Sequence, residues 1–242
     1  MRITSYFPAV MVTALFIGGC KTSSTAHNGS TTTTPSGITA PGEGSYFITF
    51  HQDIDSTGKI TSSWTDTETV YLTGLPLFGK TNVMELLTKK GTSTYTYNGV
   101  EFLNYESNGD VTSDSSINSE GSASILMGWN GTDGPITYPF ASQSPKTYTL
   151  DTIVNNNGKN DTSHLTLKFV GSGNGSTGIN NQAVPTENVT MTATYTYNNS
   201  NNATETIVIS FAPSLGVIVE TKILQGSSVS EHNVVTGYVL KP

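Results

Sequence analysis

Apolar and polar side chains alternate along several stretches of the chain with a period of two residues. The clearest examples lie in the second half, where Thr, Ser, Lys or His separate most of the apolar positions: Leu165–Phe169, Met191–Tyr197 and Ile207–Phe211. A period of two sends successive side chains to opposite sides of an extended backbone. These stretches therefore predict antiparallel strands with one buried face and one face in water.

Shorter segments of the same kind occupy the first half of the chain. Turn-forming residues at Asp53 to Gly58, at Asn98-Gly99 and at Asn108-Gly109 interrupt them, and Asn-Gly is typical of tight hairpins. The predicted strands are Tyr46–Phe50, Ile60–Trp64, Glu68–Leu72, Thr92–Tyr97 and Val100–Tyr105.

One stretch is ambiguous between helix and strand. Asn82 could cap a helix, Glu85 follows three residues later, and Lys89, Lys90 and Gly91 suit its end. A strand accounts almost as well for residues 83–87, and all the neighbouring segments have strand patterns. We therefore predict a strand here.

Residues 1–20 have the organisation of a secretion signal. Arg2 precedes an apolar run from Tyr6 to Phe16, which is shorter than the roughly 20 residues of a membrane-spanning helix. The run ends in Ile17-Gly18-Gly19-Cys20, which resembles the lipobox of bacterial lipoproteins. The resemblance implies a signal peptide over residues 1–19, cleavage between Gly19 and Cys20, and a diacylglycerol and palmitate anchor on Cys20. A chance cysteine beside an ordinary signal peptide is the alternative.

The residue after the cysteine bears on location. Lys21 stands where an aspartate would resemble the inner-membrane retention signal of Gram-negative lipoproteins. The resemblance therefore implies the outer membrane, and the periplasm-facing side is favoured over surface exposure because no acidic export cluster follows Cys20.

Composition divides the remaining chain into two parts. Residues 20–44 are mostly Ser, Thr, Gly and Pro, and such a segment buries too little apolar surface to fold, so we predict a disordered tether. Residues 45–242 are rich in Thr, Ser, Asn and Gly and contain the strand patterns, which predicts a single all-β domain.

Charge excludes some classes of partner. The formal net charge is −7 and only 12% of residues are charged, so no basic surface is available for nucleic acid. Cys20 is the single cysteine, which excludes an intrachain disulfide. Because the net charge is negative, the contact with the membrane is expected to come from acyl chains and not from the protein surface.

An internal duplication is one interpretation of a short repeat. Thr94–Asn98 recurs as Thr194–Asn198, and Gly58-Lys59 recurs as Gly158-Lys159 at the same offset. In a chain this rich in Thr and Tyr, independent strand patterning is the alternative.

A second resemblance concerns the C-terminal half. Val184-Pro185, followed by Phe211-Ala212-Pro213-Ser214-Leu215-Gly216-Val217-Ile218, is similar to a signature of uncharacterised bacterial extracytoplasmic β proteins. Ser214 replaces the usual glycine, and the usual Gly-Thr-Phe after Val-Pro is absent. The resemblance implies a single antiparallel, strongly curved sheet or half-barrel, as in lipoprotein carrier and receptor proteins, with a two-sheet sandwich as the alternative. It transfers no catalytic residue. From the residues alone, Pro213 and Gly216 bracket a turn.

The sequence gives only weak support for a metal site or a cofactor site. His51, His164 and His232 lie on separate predicted strands without zinc-binding spacing, so surface or capping roles are expected. Asp53 to Gly58 resembles half of a calcium loop, but Trp64 occupies the position that needs a bidentate carboxylate. Gly173 to Gly178 matches a dinucleotide fingerprint that no helix follows, which indicates a flexible loop. No metal, cofactor or catalytic set is expected.

These observations favour a non-enzymatic, membrane-anchored envelope lipoprotein that binds a hydrophobic ligand or a partner protein. The alternative is a surface-displayed adhesion or glycan-binding module that uses Trp64, Trp129 and exposed tyrosines. Aromatic residues on strands more often belong to a core. An enzyme is the third hypothesis, which clustering of a domain histidine with a carboxylate in a cleft would favour.

Overall fold

The structure is a computed structural model that describes residues 37–75, 83–90, 97–118, 136–156, 159–197 and 200–242. Within these residues the chain forms twelve β-strands. In chain order they are β1 Tyr46–Ile54, β2 Ile60–Leu75, β3 Val83–Lys90, β4 Tyr97–Tyr105, β5 Val111–Asn118, β6 Ile136–Tyr138, β7 Lys146–Asn156, β8 Lys159–Ile179, β9 Gln182–Tyr197, β10 Ser200–Ala212, β11 Val217–Gln225 and β12 Ser228–Val239. None of the described segments forms a helix with the length and apolarity needed to cross a bilayer.

All twelve strands belong to one antiparallel sheet. Its order is β6-β5-β4-β3-β2-β1-β12-β11-β10-β9-β8-β7, so strands β1–β6 and strands β7–β12 form two meanders. The pairing of β1 with β12 joins the meanders, with Tyr46 opposite Val239 and Asp53 opposite Glu231. The sheet curves until it is nearly closed, which confirms the predicted all-β, single curved sheet.

Side chains connect the two outer strands, β6 and β7. The Tyr148 hydroxyl on β7 accepts a hydrogen bond from Thr137 N at 2.9 Å, on β6. In the loop between these strands, Gln143 accepts a bond from Gly173 N at 3.0 Å, and its amide donates to the carbonyl of Phe140. These contacts hold the ends of the sheet together where no backbone ladder joins them.

Aromatic packing fills one end of the enclosed space. We call the enclosed side of the sheet the interior face; it carries Phe47, Phe169 and Phe211, all fully buried. Phe140 stacks on Phe211 with ring centroids 4.9 Å apart, and Tyr138 meets Phe169 edge-on at 5.3 Å. The apolar area removed from water here is the main source of stability. We call this the packed end.

The chain preceding β1 lies against the packed end. Thr39 N donates to Pro213 O at 2.8 Å, and Gly42 N donates to Lys241 O at 3.2 Å. Ile38 belongs to the core and Ser45 is fully buried. Contacts with the sheet thus begin several residues before the predicted domain start, while the boundary of the tether stays a prediction.

Local predictions had mixed outcomes. Strand β3 confirms the preference for strand over helix in residues 83–90, and Asn108-Gly109 forms the predicted turn, where Gly109 has φ 89°. Asn98-Gly99 was wrongly predicted as a hairpin, because β4 runs through it and Gly99 pairs with Thr88 and Asn118. Residues 173–178 were wrongly predicted as a loop, since they belong to β8.

The turn between β10 and β11 is locked to the opposite wall of the sheet. The Tyr105 hydroxyl on β4 donates to Gly216 O at 2.6 Å, and burial raises the pKa of Tyr105. Gly216 has φ 67°, and a Cβ atom there would lie 2.5 Å from Thr39 O and 2.7 Å from that hydroxyl. The close approach leaves room only for glycine.

Tyr105→Phe should lower the free energy of unfolding by about 1 kcal/mol, because it removes a buried hydrogen bond and leaves a carbonyl without a donor. Urea unfolding followed by circular dichroism measures the change. Tyr71→Phe is the matched control, since Tyr71 is 53% exposed and should show almost no effect. Equal effects of the two substitutions would contradict the proposed lock.

Candidate functional site

A cavity lies in the interior of the sheet, above the packed end. It has a volume of about 200 Å³ and lies between β1–β4 on one side and β11–β12 on the other. Six of its lining residues are polar, Thr49, His51, Glu68, Glu220, Thr221 and Asn233, and six are aliphatic, Leu86, Leu103, Val217, Ile218, Val219 and Val235. The cavity therefore has both a hydrogen-bonding wall and an apolar wall.

Strand alternation places the polar wall inside. On β1, Thr49 and His51 follow Phe47 at every second position, so they share the face of that buried ring. On β12, Asn233 lies opposite His51, which places it on the same face. The site therefore straddles the junction of the first and last strands.

His51 is held by contacts on three sides. Its Nδ1 lies 2.7 Å from Asn233 Oδ1, and its Nε2 lies 3.1 Å from Asp66 Oδ2. Its ring stacks on Trp64, with parallel rings 5.0 Å apart. The side chain of His51 is only 16% exposed. The surface or capping role expected for this histidine is thus wrong.

The amide of Asn233 fixes the hydrogen on His51. Asn233 Nδ2 donates to Glu231 Oε1 at 2.8 Å and to Thr221 Oγ1 at 3.2 Å, so its oxygen is the atom that faces the imidazole. Nδ1 of His51 must therefore carry a proton and donate it. When Nε2 is protonated as well, the imidazolium forms an ion pair with Asp66.

Two oxygens and one nitrogen beside the cavity have no hydrogen-bond partner. They are Thr49 Oγ1, Asp66 Oδ1 and His51 Nε2, whose contact with Asp66 is close but poorly aligned for a hydrogen bond. Asp66 is 8% exposed and Thr49 is 7% exposed. Buried polar atoms are nearly always paired, so these three are the unusual feature of the interior.

A second histidine–carboxylate pair joins β11 to β12. Glu220 accepts from His232 Nε2 at 2.7 Å, from Lys222 Nζ at 2.9 Å and from Thr177 Oγ1 at 3.3 Å. The hydrogen bond from His232 contributes most to holding the pKa of Glu220 to about 2, Lys222 adds to it, and burial opposes both. Thr177 lies near the tip of the β8–β9 hairpin, so this cluster fastens the hairpin to β11 and β12.

The two histidine–carboxylate pairs differ in whether their polar atoms all have hydrogen-bond partners. Both Glu220 oxygens have partners, which indicates a structural role. His51 lines the cavity, and both His51 and its neighbour Asp66 have unpaired atoms, which is the histidine–carboxylate clustering that an enzyme hypothesis requires. However, among the described residues no hydroxyl or thiol is hydrogen-bonded to His51, so no activated nucleophile is recognisable. The arrangement suits binding.

Metal sites have no support in the described part of the chain. No group of three or more His, Cys, Asp or Glu side chains there could hold a metal ion. In the turn after β1, Asp55 Oδ1 accepts from Thr57 N, Thr57 Oγ1 and Lys59 N, at 2.8, 2.6 and 3.1 Å. These bonds, the one from the Thr57 side chain above all, lower the pKa of Asp55 and explain its sequence as that of a tight turn.

Several predicted features fall outside the described residues. They include Gly19 and Cys20, the predicted cleavage and lipidation positions, and Trp129. Trp64 lies within them and stacks on His51 at the interior site. The inward position of Trp64 could have been predicted from the alternation of β2, but the pairing with Asp66 and Asn233 could not.

Comparison with known proteins supports the fold. No protein-family model and no curated protein matches the chain. The crystal structure of a candidate lipoprotein from Parabacteroides distasonis has a TM-score of 0.52 and 13% identity, covering 83% of this chain and 97% of that one. At this identity the likeness shows a shared fold alone.

Two further structures are more distant. A candidate exported protein of Bacteroides fragilis with a YmcC-like fold has a TM-score of 0.45 and 9% identity, over 84% of this chain and 98% of that one. The hypothetical lipoprotein YmcC of Escherichia coli has a TM-score of 0.35 and 9% identity, over 81% and 84%. These two likenesses are too weak to support a conclusion.

Thr49→Val should raise the free energy of unfolding by about 1 kcal/mol, because it replaces a buried hydroxyl that lacks a partner with a methyl group of the same shape. Thr112→Val is the matched control: Thr112 is fully buried, but its Oγ1 donates to Glu106 Oε1 at 2.7 Å, so this substitution should destabilise. Urea unfolding at neutral pH measures both changes. A loss of stability in Thr49→Val would show that its hydroxyl has a partner.

Glu220 should contribute a pH-dependent part of the stability. Its folded pKa of about 2 lies below the usual 4.5, so the contribution is complete above pH 4.5 and is lost as the pH falls towards 2. Because the site is partly exposed to solvent, we expect about 1–2 kcal/mol.

Glu220→Gln should therefore flatten the fall in unfolding free energy over this pH range, as measured by urea titrations at each pH. Glu43→Gln, at an exposed position, is the control. An unchanged slope in Glu220→Gln would contradict the assignment.

Proposed function

We propose that this chain is a lipid-anchored lipoprotein of the bacterial cell envelope whose β domain binds a ligand or a partner without catalysing a reaction. The interior cavity carries the binding part of the proposal, because it combines an apolar wall with buried polar atoms that lack partners. Such a combination is the usual character of a ligand site.

The anchor is supported by two observations. Ile17-Gly18-Gly19-Cys20 has the spacing and small residues of a lipoprotein cleavage signal, and Cys20 is the single thiol available for lipid attachment. The fold is shared with a candidate lipoprotein of Parabacteroides distasonis. Two or three acyl chains give durable membrane binding, whereas one chain binds only marginally.

The proposed location is the periplasm-facing side of the outer membrane, because Lys21 follows the anchor cysteine. Residues between Cys20 and the first contacts at Ile38 would then link the membrane to the packed end of the sheet. This arrangement leaves the cavity above the packed end, away from the attachment point of the chain.

The size of the cavity limits the size of the ligand that it can hold. Phe47, Phe140, Phe169 and Phe211 fill the packed end, and the remaining space of about 200 Å³ is below the roughly 300–1,000 Å³ of most drug-sized ligand sites. The filled interior counts against a lipid with long acyl chains and favours a small ligand or a partner protein on the outside.

Cys20→Ala should abolish lipidation, since no other thiol can accept the diacylglycerol. Growth of expressing cells with radiolabelled palmitate should label the natural chain and leave the variant unlabelled, and the variant should leave the membrane fraction. A Ser23→Ala chain is the control and should label normally. A mature N-terminus at any residue other than Cys20 would refute the anchor.

Protease treatment of intact cells tests the orientation with the same strains. Protection of the β domain until the outer membrane is permeabilised supports the periplasm-facing side. Cleavage in intact cells would instead favour surface display.

A further inference from the structure

Exposed apolar side chains are concentrated at the end of the sheet where the chain enters it. Of the five large apolar side chains that are exposed among the described residues, three lie at this end: Tyr71, Val239 and Leu240, which are 53%, 37% and 37% exposed. The other two lie elsewhere, Ile60 at the opposite end of β2 and Val170 on β8, four strands from β12. We call the first three residues the entry patch.

Strand pairing brings two members of the entry patch to the outside of neighbouring strands. Val239 lies opposite Tyr46, whose neighbour Phe47 is fully buried, so Val239 and Tyr46 face outward. On β2, Val70 is buried and Tyr71 beside it is more than half exposed, so Tyr71 also faces outward. β1 separates the two strands, which places the Cα atoms of Tyr71 and Val239 roughly 10–12 Å apart.

Backbone hydrogen bonds place the entering chain between the members of the patch. Gly44 N donates to Val70 O at 2.8 Å, and Gly42 N donates to Lys241 O at 3.2 Å. Val70 and Lys241 are direct chain neighbours of two patch residues, one on β2 and one after β12. The entry patch therefore surrounds the point where the chain from the proposed anchor joins the sheet.

The proposed anchor is only a short chain away from this point. Residues 21–37 separate Cys20 from Ile38, which belongs to the core. A flexible chain of this length has an end-to-end distance of about 20–25 Å, so the entry patch is kept close to the bilayer surface. Because a tethered contact is intramolecular, even a weak affinity for lipid is enough to orient the domain.

The residues at this end have the chemistry of a membrane interface. Tyrosine is enriched where a bilayer meets water, because its ring is apolar and its hydroxyl stays hydrated. Val239 and Leu240 add aliphatic area, and the exposed Lys241 that follows them can pair with a lipid phosphate. An acidic side chain at the same end, Glu43, accepts a hydrogen bond from Thr73 N at 3.1 Å, so part of its charge is already engaged.

We propose that the packed end of the sheet rests on the lipid bilayer, with Tyr71, Val239 and Leu240 in the headgroup region. This inference rests on the proposed lipid anchor and adds a contact by the protein surface to the contact expected from acyl chains. It also orients the domain, because the interior cavity above the packed end then lies on the side away from the membrane.

The test uses the lipidated chain, purified from membranes, in vesicles of phosphatidylethanolamine with a minor share of phosphatidylglycerol. Lipid occupies the sulfur of Cys20, so an introduced cysteine is the single free thiol and can carry an environment-sensitive fluorophore. At Tyr71→Cys or Val239→Cys we expect emission at shorter wavelength and quenching by lipids with a spin label near the headgroup. At Ser56→Cys, in the turn at the other end of β1, we expect neither. Equal quenching at the two ends, or none at either, would overturn the proposal.

A matched pair of variants tests the patch itself. With the fluorophore at Tyr71→Cys, Leu240→Asp should lower the quenching several-fold, because a carboxylate is costly to bring into contact with lipid. Ile60→Asp is the control: it adds the same charge at an exposed apolar position, 49% exposed, at the opposite end of β2, and should leave the quenching unchanged. Both positions are exposed, so the fold should persist, which circular dichroism checks. Unchanged quenching in Leu240→Asp would overturn the contact.

The outcome is separable from the anchor. Flotation of the chain with the vesicles depends on acyl chains at Cys20, whereas quenching depends on how the domain lies on the surface. Flotation without quenching at Tyr71 and Val239 would overturn the proposed contact and leave the lipoprotein assignment in place. Recovery of the mature chain with a free thiol at Cys20 would refute the anchor and the contact together.

Discussion

The pairing of the first strand with the last is the constraint on which the rest of the structure depends. Among the described residues, the β1–β12 ladder is the one backbone pairing that joins the two six-stranded meanders. It connects residues more than 175 positions apart, from Asp53 with Glu231 to Tyr46 with Val239. Its formation closes nearly the whole chain into a loop, at a cost in chain entropy that local contacts cannot offset alone. The aromatic packing at the closed end and the bridges from Tyr105 and Tyr148 supply the compensation.

The candidate site depends on the same pairing. His51 comes from β1 and Asn233 from β12, so their hydrogen bond exists only when this ladder is in register. A slip of this ladder by one residue would place Asn233 and His51 on opposite faces and break their hydrogen bond. The polar wall thus costs free energy that the apolar packed end must offset, which is typical of residues retained for binding rather than for stability.

Sequence reasoning succeeded where local chemistry decides structure and failed where distant pairing decides it. Alternation identified most strands, and Asp53 to Gly58 and Asn108-Gly109 form turns because their own side chains and backbone satisfy the bonds. Asn98-Gly99 has equal turn propensity, yet the ladders to β3 and β5 hold it extended. His51 shows the same limit: its spacing revealed no site, because Asn233 reaches it only through the pairing of the first strand with the last.

The duplication interpretation gains a structural counterpart in the spacing of the strands. β1 and β7 begin at Tyr46 and Lys146, β2 and β8 at Ile60 and Lys159, and β3 and β9 at Val83 and Gln182, which are 100, 99 and 99 residues apart. The offset of the Thr-Tyr repeat is therefore also, within one residue, the offset between the first three strands of the two meanders, whereas the remaining three pairs of strands begin 103, 106 and 92 residues apart. Common ancestry of the halves stays a prediction.

The binding residues do not follow this repeat. The positions one repeat after His51 and Asp66 hold Asp151 and Thr166, and Asp151 lies opposite His164 in the β7–β8 ladder, so the histidine and the aspartate stand at different positions in the two meanders. A repeated meander would explain how the sheet closes, because each half presents a matching edge strand to the other. It would not explain the polar wall, to which both halves contribute residues at the seam where β1 meets β12. Scaffold and site thus have separable origins in this chain: periodic alternation builds the first, and a few residues that break the apolar pattern of the interior build the second.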